Sequence, residues 1–180
     1  MLSTVPWLLP GSLVAFVLSA ALSPPVARVL GVRRVVAWVL LLSFGVIISA
    51  TLTPLRGAFA GDVGSGTCDF SRLGPASIEE LQTDRDAFLN MLIFVPFGLA
   101  IGVCPRSRLK ATIVAAAVAL PFAIEAIQLL VPALARGCQS ADVADNLVGL
   151  VIGLAAGAVV GWILPAGRQP DEQSGLPASD

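Results

Sequence analysis

Three segments in the second half of the chain carry polar residues whose spacing could support chemistry. Glu125 and Gln128 lie three residues apart inside an otherwise apolar run, and residues at that spacing share one face of a helix. The other candidates are amides, acids and one arginine: Asn90, Arg136, Asp142, Asp145 and Asn146. A carboxylate held by amides could accept a proton or bind a polar headgroup, and Arg136 could meet an anionic group.

The residue types exclude several classes of function. The chain has no histidine, which excludes catalytic triads, histidine zinc sites and imidazole proton shuttles. Its net charge is -1 and its longest basic run is Arg33-Arg34, so nothing indicates a nucleic-acid surface. It contains neither a phosphate-binding loop nor a dinucleotide-binding glycine motif, and we expect no cofactor. Whether the protein is an enzyme stays open.

The composition predicts the elements that must position these residues. Of the 180 residues, 56% are hydrophobic and 13% are charged, and the mean hydropathy is +0.88, as in membrane proteins. Five windows are long and apolar enough to cross a bilayer: 7–22, 35–53, 87–103, 111–131 and 143–164. The sequence therefore predicts an all-α polytopic membrane bundle over residues 1–164. The first apolar run has no basic segment before it, so we expect a retained helix rather than a signal peptide.

The basic residues predict how the bundle is oriented. The links 23–34 and 104–110 are rich in Arg and Lys, which is typical of cytoplasmic loops. The links 54–86 and 132–141 are not, so we expect them, and the N-terminus, to lie outside. The tail 165–180 is then cytoplasmic, and its polar, Pro-rich and Gly-rich composition predicts disorder.

With this orientation, the polar residues of three helices reach a similar depth near the outer face. Glu125 lies about six residues before the outer end of its helix, roughly 9 Å along the axis. Asn90, Asp142 and Asn146 enter from the same side, which predicts an outward-facing polar pocket. Asp142, and Asp86 in the first turn of the third span, could instead cap their helices, and the amides could bond neighbouring helices together. Glu125 is too deep to be a cap, so we favour a functional role for it.

Three further features concern packing, cross-linking and helix ends. Glycines recur every fourth residue in the last span, at Gly149, Gly153, Gly157 and Gly161, which favours close approach of another helix in this chain or in a second one. Cys68 and Cys138 both fall on the predicted outer side and could form a disulfide. Ser77 with Glu80, and Thr83 with Asp86, have the spacing of helix capping boxes.

The segments "NMLIFVPFG", "IEAIQ" and "RGCQSADVADNLVGLVIG" resemble, in this order, the VanZ-like family of small bacterial membrane proteins, named for a teicoplanin-resistance protein. The resemblance covers Asn90 to Gly153, and we take residues 87–164 as the VanZ-like core. The residues that match the family pattern are Asn90, Phe94, Pro96, Gly98, Glu125, Gln128, Arg136, Asp142, Asn146 and Gly149. Pro121 and Gln139 depart from it, and Asp145 stands where the family is usually apolar, which makes Asp145 doubtful as a shared functional residue.

The resemblance implies a multi-pass protein of the bacterial cell membrane that is linked to envelope integrity or low-level glycopeptide resistance. It does not supply a reaction. We therefore consider a site that binds or acts on an envelope precursor or lipid headgroup, and a non-catalytic membrane scaffold that docks a partner. A proton-coupled transporter is less favoured, because the inner halves of the spans carry almost no polar residues.

Overall fold

Five long apolar helices dominate the computed structural model, which describes residues 5–163. The elements are α1 Leu8–Leu30, α2 Arg34–Thr51, β1 Cys68–Asp69, α3 Ile78–Thr83, α4 Arg85–Val103, α5 Arg108–Leu130, β2 Cys138–Gln139 and α6 Ser140–Ile163. Of the α-helices, all but α3 are long and apolar enough to cross a membrane. The predicted all-α bundle is therefore confirmed. The tail 165–180, which we predict to be disordered, lies outside the described residues.

The largest difference from the predicted spans is in α1, which continues to Leu30 although the predicted window ends at Leu22. The helix passes through Pro24 and Pro25, each of which lacks the N–H that a helix uses. In the structure the Ser23 hydroxyl donates to the Ala20 carbonyl at 3.2 Å, which satisfies one of the carbonyls that the prolines leave free. The helix ends at Gly31, whose φ of 63° places it in the left-handed region that favours glycine.

The other helix ends differ from the predicted windows by a few residues. The Ser107 hydroxyl accepts from the Lys110 N–H at 3.1 Å, so α5 begins at Arg108 rather than at residue 111. The prediction that Thr83 caps α4 is wrong. Asp84 is the cap, and its Oδ1 accepts from the N–H groups of Asp86 and Ala87, while the Thr83 hydroxyl donates backwards within α3. The Ser77–Glu80 capping box forms at the start of α3, as predicted.

The core lies where α2, α4, α5 and α6 meet. Its central side chains are at most 1% exposed: Ile47, Phe94, Ile101, Ile124 and Leu150. Many large apolar side chains point away from this core, including Leu13 at 66% exposed and Trp162 at 85%. A surface of this kind is unstable in water and suits contact with lipid tails.

The glycine stripe of α6 packs against α4 of the same chain. A Cβ added at Gly149, Gly153 or Gly157 would collide with a backbone carbonyl on α4. At Gly161 the nearest atom, the Val103 carbonyl oxygen, would be 3.2 Å from the added Cβ, so the helices diverge slightly there. This contact turns the start of α6, including Asn146, towards the other helices.

Two links lie at the end of the bundle opposite the α1–α2 turn, one before α3 and one between α5 and α6, and they are bonded to each other. Strands β1 and β2 pair in parallel, with Cys68 opposite Cys138, and the two cysteines are joined by a disulfide. The Ser140 hydroxyl donates to the carbonyls of Asp69 and Arg72. The long link before α3 is thereby fixed over the start of α6.

Candidate functional site

Glu125 lies on α5 and is only 5% exposed. Its Oε2 accepts a hydrogen bond of 2.7 Å from the backbone N–H of Gln139 in β2. Within residues 5–163, no arginine or lysine forms an ion pair with it. The carboxylate is thus held in place by a neutral donor, and among the described residues no arginine or lysine lies within ion-pairing distance of it.

Gln128 and Arg136 both bind the carboxyl end of α2. The Gln128 Nε2 donates to the Thr51 carbonyl at 3.0 Å, and Arg136 donates from Nε to Thr53 and from Nη2 to Ala50 at 2.9 and 2.6 Å. The last carbonyls of a helix have no partner within the helix, and these side chains satisfy two of them, those of Ala50 and Thr51. Burial lowers the pKa of the Arg136 guanidinium from its ordinary value.

Asp142 and Asn146 lie one turn apart on α6, and Asp142 lies near Asn90 of α4 and Glu125 of α5. The Asp142 carboxylate is partly exposed and lies beside the Asn90 side chain of α4. Asn146 is 1% exposed, and among the described residues its Oδ1 finds no hydrogen-bond partner. Leaving such an oxygen buried and unsatisfied costs about 1 to 3 kcal/mol, so this atom is unusual for a residue that serves packing alone.

Asp145 has a different environment. Its carboxylate forms an ion pair with Arg72, with N–O distances of 2.7 and 3.2 Å, and also accepts the Ala76 N–H at 2.7 Å. The hydrogen bonds from Arg72 to Asp145 raise the pKa of the Arg72 guanidinium. Asp145 therefore anchors the long link to α6, which gives a structural reason for an acid at this position.

The sequence pattern does not predict the role of Arg72. It lies 73 residues from Asp145, in a link that also contains Arg56 and Arg85, and nothing in the local sequence selects one arginine over the others. A signal did exist in Asp145 itself, because an acid in the first turns of an apolar helix needs a partner.

Six of the predicted site residues gather at one end of the bundle and are called here the polar cluster: Asn90, Glu125, Gln128, Arg136, Asp142 and Asn146. Glu125, Gln128 and Asn146 are buried, whereas the other three are partly exposed and form its accessible side. A depression of about 450 Å³ lies elsewhere and is lined by Pro6, Trp7, Pro10, Arg56 and Phe59. Among the described residues, no three Cys, Asp or Glu side chains are grouped so as to hold a metal ion.

A family model described as VanZ/LLP1 matches residues 35–164. The chain belongs to the VanZ/LLP1 family. The match is wider than the sequence resemblance and includes α2, whose last carbonyls bind Gln128 and Arg136 in this VanZ/LLP1 protein. No curated protein and no solved structure matches the chain.

The Cys68–Cys138 disulfide is adjacent to the amide that binds Glu125, because Gln139 follows Cys138 directly. We expect the mature protein to contain this bond. In denaturant without reductant, thiol labelling followed by intact mass should then modify Cys104 alone, and all three cysteines after reduction. Cys138→Ser should lower the free energy of unfolding by about 2 kcal/mol. Labelling of all three cysteines before reduction would contradict this prediction.

Proposed function

We propose that this VanZ-family protein binds, or acts on, the polar headgroup of a cell-envelope component at the polar cluster, on the outer face of the bacterial cell membrane. This activity would contribute to resistance against glycopeptides such as teicoplanin. The observation that carries the proposal is the state of Glu125. It is buried in an apolar helix, ordered by a neutral backbone donor and unpaired with any cation among the described residues.

The energetics of burial support a role for Glu125 beyond packing. A buried carboxylate is costly unless it is paired or well hydrogen-bonded, and one N–H offsets only part of that cost. A bound molecule that brings a hydroxyl, an amine or a proton would supply the rest. The burial of Glu125 is therefore less costly with a ligand bound than without one.

Two neighbours extend the same site. The unsatisfied Oδ1 of Asn146 can accept a hydrogen bond from a ligand, and Asp142 beside Asn90 offers further acceptors on the accessible side. Arg136 commits Nε to Thr53, just beyond α2, and one N–H of Nη2 to Ala50 of α2, which leaves its Nη1 group as a donor for an anionic part of a ligand. A headgroup with both hydroxyl and anionic groups matches this set of donors and acceptors.

The charge distribution supports an outward-facing site. The opposite end of the bundle carries Arg28, Arg33, Arg34, Arg106, Arg108 and Lys110, and the positive-inside rule assigns such an end to the cytoplasm. The polar cluster then faces the compartment in which envelope precursors are used.

Glu125→Gln tests the proposal because it removes the charge while keeping an oxygen that can accept from Gln139. We expect a teicoplanin-sensitive host to be protected by the wild-type protein and to return to the susceptibility of the empty host with Glu125→Gln. Glu79→Gln is the matched control, since Glu79 is exposed and its side chain forms no hydrogen bond among the described residues. The comparison requires that wild type, Glu125→Gln and Glu79→Gln are present in the membrane in equal amounts. Equal protection by wild type and Glu125→Gln would contradict the proposal.

A membrane scaffold is the second candidate function. It is favoured by one observation: Gln128 and Arg136 direct their hydrogen bonds to backbone carbonyls at the end of α2 and just beyond it, as residues that hold helices together do. For a scaffold, Glu125→Gln and Asn146→Ala should reduce the amount of folded protein and the thermal stability in detergent. For a binding site, both variants should stay folded while protection is lost.

A further inference from the structure

The bundle separates its charges by end. All nine acidic residues between positions 5 and 163 lie in the long link, near the starts of α4 and α6, or at Glu125. The other end holds the α1–α2 and α4–α5 turns, which approach each other at Gly31 and Pro105. Six basic residues and no acidic ones lie at this end among the described residues, and it is called here the basic end: Arg28, Arg33, Arg34, Arg106, Arg108 and Lys110.

A groove of about 260 Å³ opens between the two turns of the basic end. Its polar lining includes Arg28, at the end of α1, with Ser107 and Lys110, at the start of α5. The Lys110 ammonium donates to the carbonyls of Gly102 and Cys104 at 2.7 and 2.8 Å, which leaves one of its three N–H groups for another acceptor. The amino end of α5 adds the positive end of its helix dipole.

The remaining lining is apolar. Val29 is 71% exposed and Leu109 is 41% exposed, and both lie beside the cationic groups. The helices are long enough to cross a bilayer and the groove lies at their ends, so we expect it at the level where lipid headgroups meet acyl chains. A free anion would use only the cations, whereas a phospholipid would cover both parts of the lining.

We propose that the groove binds an anionic phospholipid, with its phosphate between Arg28 and Lys110 and its acyl chains along Val29 and Leu109. Basic grooves between transmembrane helices are suited to such headgroups. The bound lipid would link α1 to α5, helices that pack mainly against α2 and α6 respectively. This site is separate from the polar cluster and does not depend on the function proposed for it.

The test measures lipid binding by the full chain in detergent. Phosphatidylglycerol or phosphatidylcholine is added, and the bound lipid is detected by native mass spectrometry. The wild-type protein should retain phosphatidylglycerol preferentially, and Arg28→Gln should weaken that binding about fivefold. Arg28→Lys should restore most of it. Arg34→Gln is the matched control, because it removes the same charge from the basic end but does not line the groove.

Three outcomes would overturn the proposal. Equal losses in Arg28→Gln and Arg34→Gln would indicate diffuse attraction to negative charge rather than a site. Displacement of phosphatidylglycerol by an equal concentration of inorganic phosphate would indicate a site for the free anion. No preference for phosphatidylglycerol in the wild-type protein would exclude the site directly. Arg28 is exposed, and thermal unfolding of each variant confirms that the compared proteins are folded.

Discussion

Replacing Arg72 with glutamine should destabilise the protein more than any other exposed or half-exposed charge change in the long link. The Asp145 side chain is only 2% exposed and would lose both guanidinium hydrogen bonds, keeping just the Ala76 N–H. Removing one partner of a buried pair leaves a charge without compensation, which typically costs 3 to 5 kcal/mol. Because the Arg72 side chain is 26% exposed, water can solvate part of the site. We therefore expect the free energy of unfolding to fall by about 3 kcal/mol, at the lower end of this range.

The measurement is the free energy of unfolding in detergent, with the fraction of monodisperse protein after size exclusion. Arg85→Gln is the control, since Arg85 is exposed and forms no ion pair among the described residues. The double variant Arg72→Gln with Asp145→Asn should recover part of the stability, because it removes the unpaired charge. Equal stability of Arg72→Gln and Arg85→Gln would show that the pair does not anchor the link.

Gly153→Ala should separate α6 from α4 despite adding a single carbon. The new Cβ would meet the Val95 carbonyl oxygen and the Leu99 nitrogen, which are backbone atoms of a packed helix and cannot turn aside. Overpacking of a core usually costs 1 to 3 kcal/mol, and a collision with backbone belongs at the upper end, so we expect about 3 kcal/mol. The loss should appear as a lower thermal midpoint in detergent and as less folded protein in the membrane.

Gly161→Ala is the internal control on the same stripe. There the nearest atom is 3.2 Å from the added Cβ, and alanine is intrinsically more favourable than glycine in a helix. We expect the stability to change by less than about 1 kcal/mol. If both variants were equally stable, close contact between the two helices would not be what holds them together.

The sequence predicted the spans and the shared depth of the polar residues because both depend on patterns along one helix. The apolar windows gave five helices, and the distance of Glu125 from its helix end placed it at the level of Asn90 and Asn146. The glycine stripe was likewise visible as a spacing. The spacing could not predict which helix packs against the glycines. In the structure that helix is α4.

The contacts of the cluster could not be predicted in the same way. The carbonyls of Ala50, Thr51 and Thr53 bind Arg136 and Gln128, but backbone acceptors have no sequence signature. The Gln139 N–H that binds Glu125 is hidden for the same reason, since its side chain plays no part in that bond.

The ends of the helices were also less predictable than the spans. The apolar window predicts an end at Leu22, whereas α1 continues through Pro24 and Pro25, and the compensating hydrogen bond from Ser23 depends on side-chain geometry. Asp145 was doubted for its departure from the family pattern. Its partner is an arginine far away in the chain, so its anchoring role became visible only in three dimensions.

The most direct test of the proposed site is the identity of the envelope molecules that co-purify with the protein from bacterial membranes. Wild type and Glu125→Gln should be purified in equal amounts of folded protein, and the lipids extracted from each should be compared by mass spectrometry. We predict that an envelope component bearing hydroxyl and anionic groups is retained by the wild type and is depleted at least about tenfold in Glu125→Gln. Phospholipid bound at the basic end should be unchanged. Identical profiles for the two proteins would contradict a ligand-binding role for Glu125 and would leave the polar cluster as the junction of a scaffold.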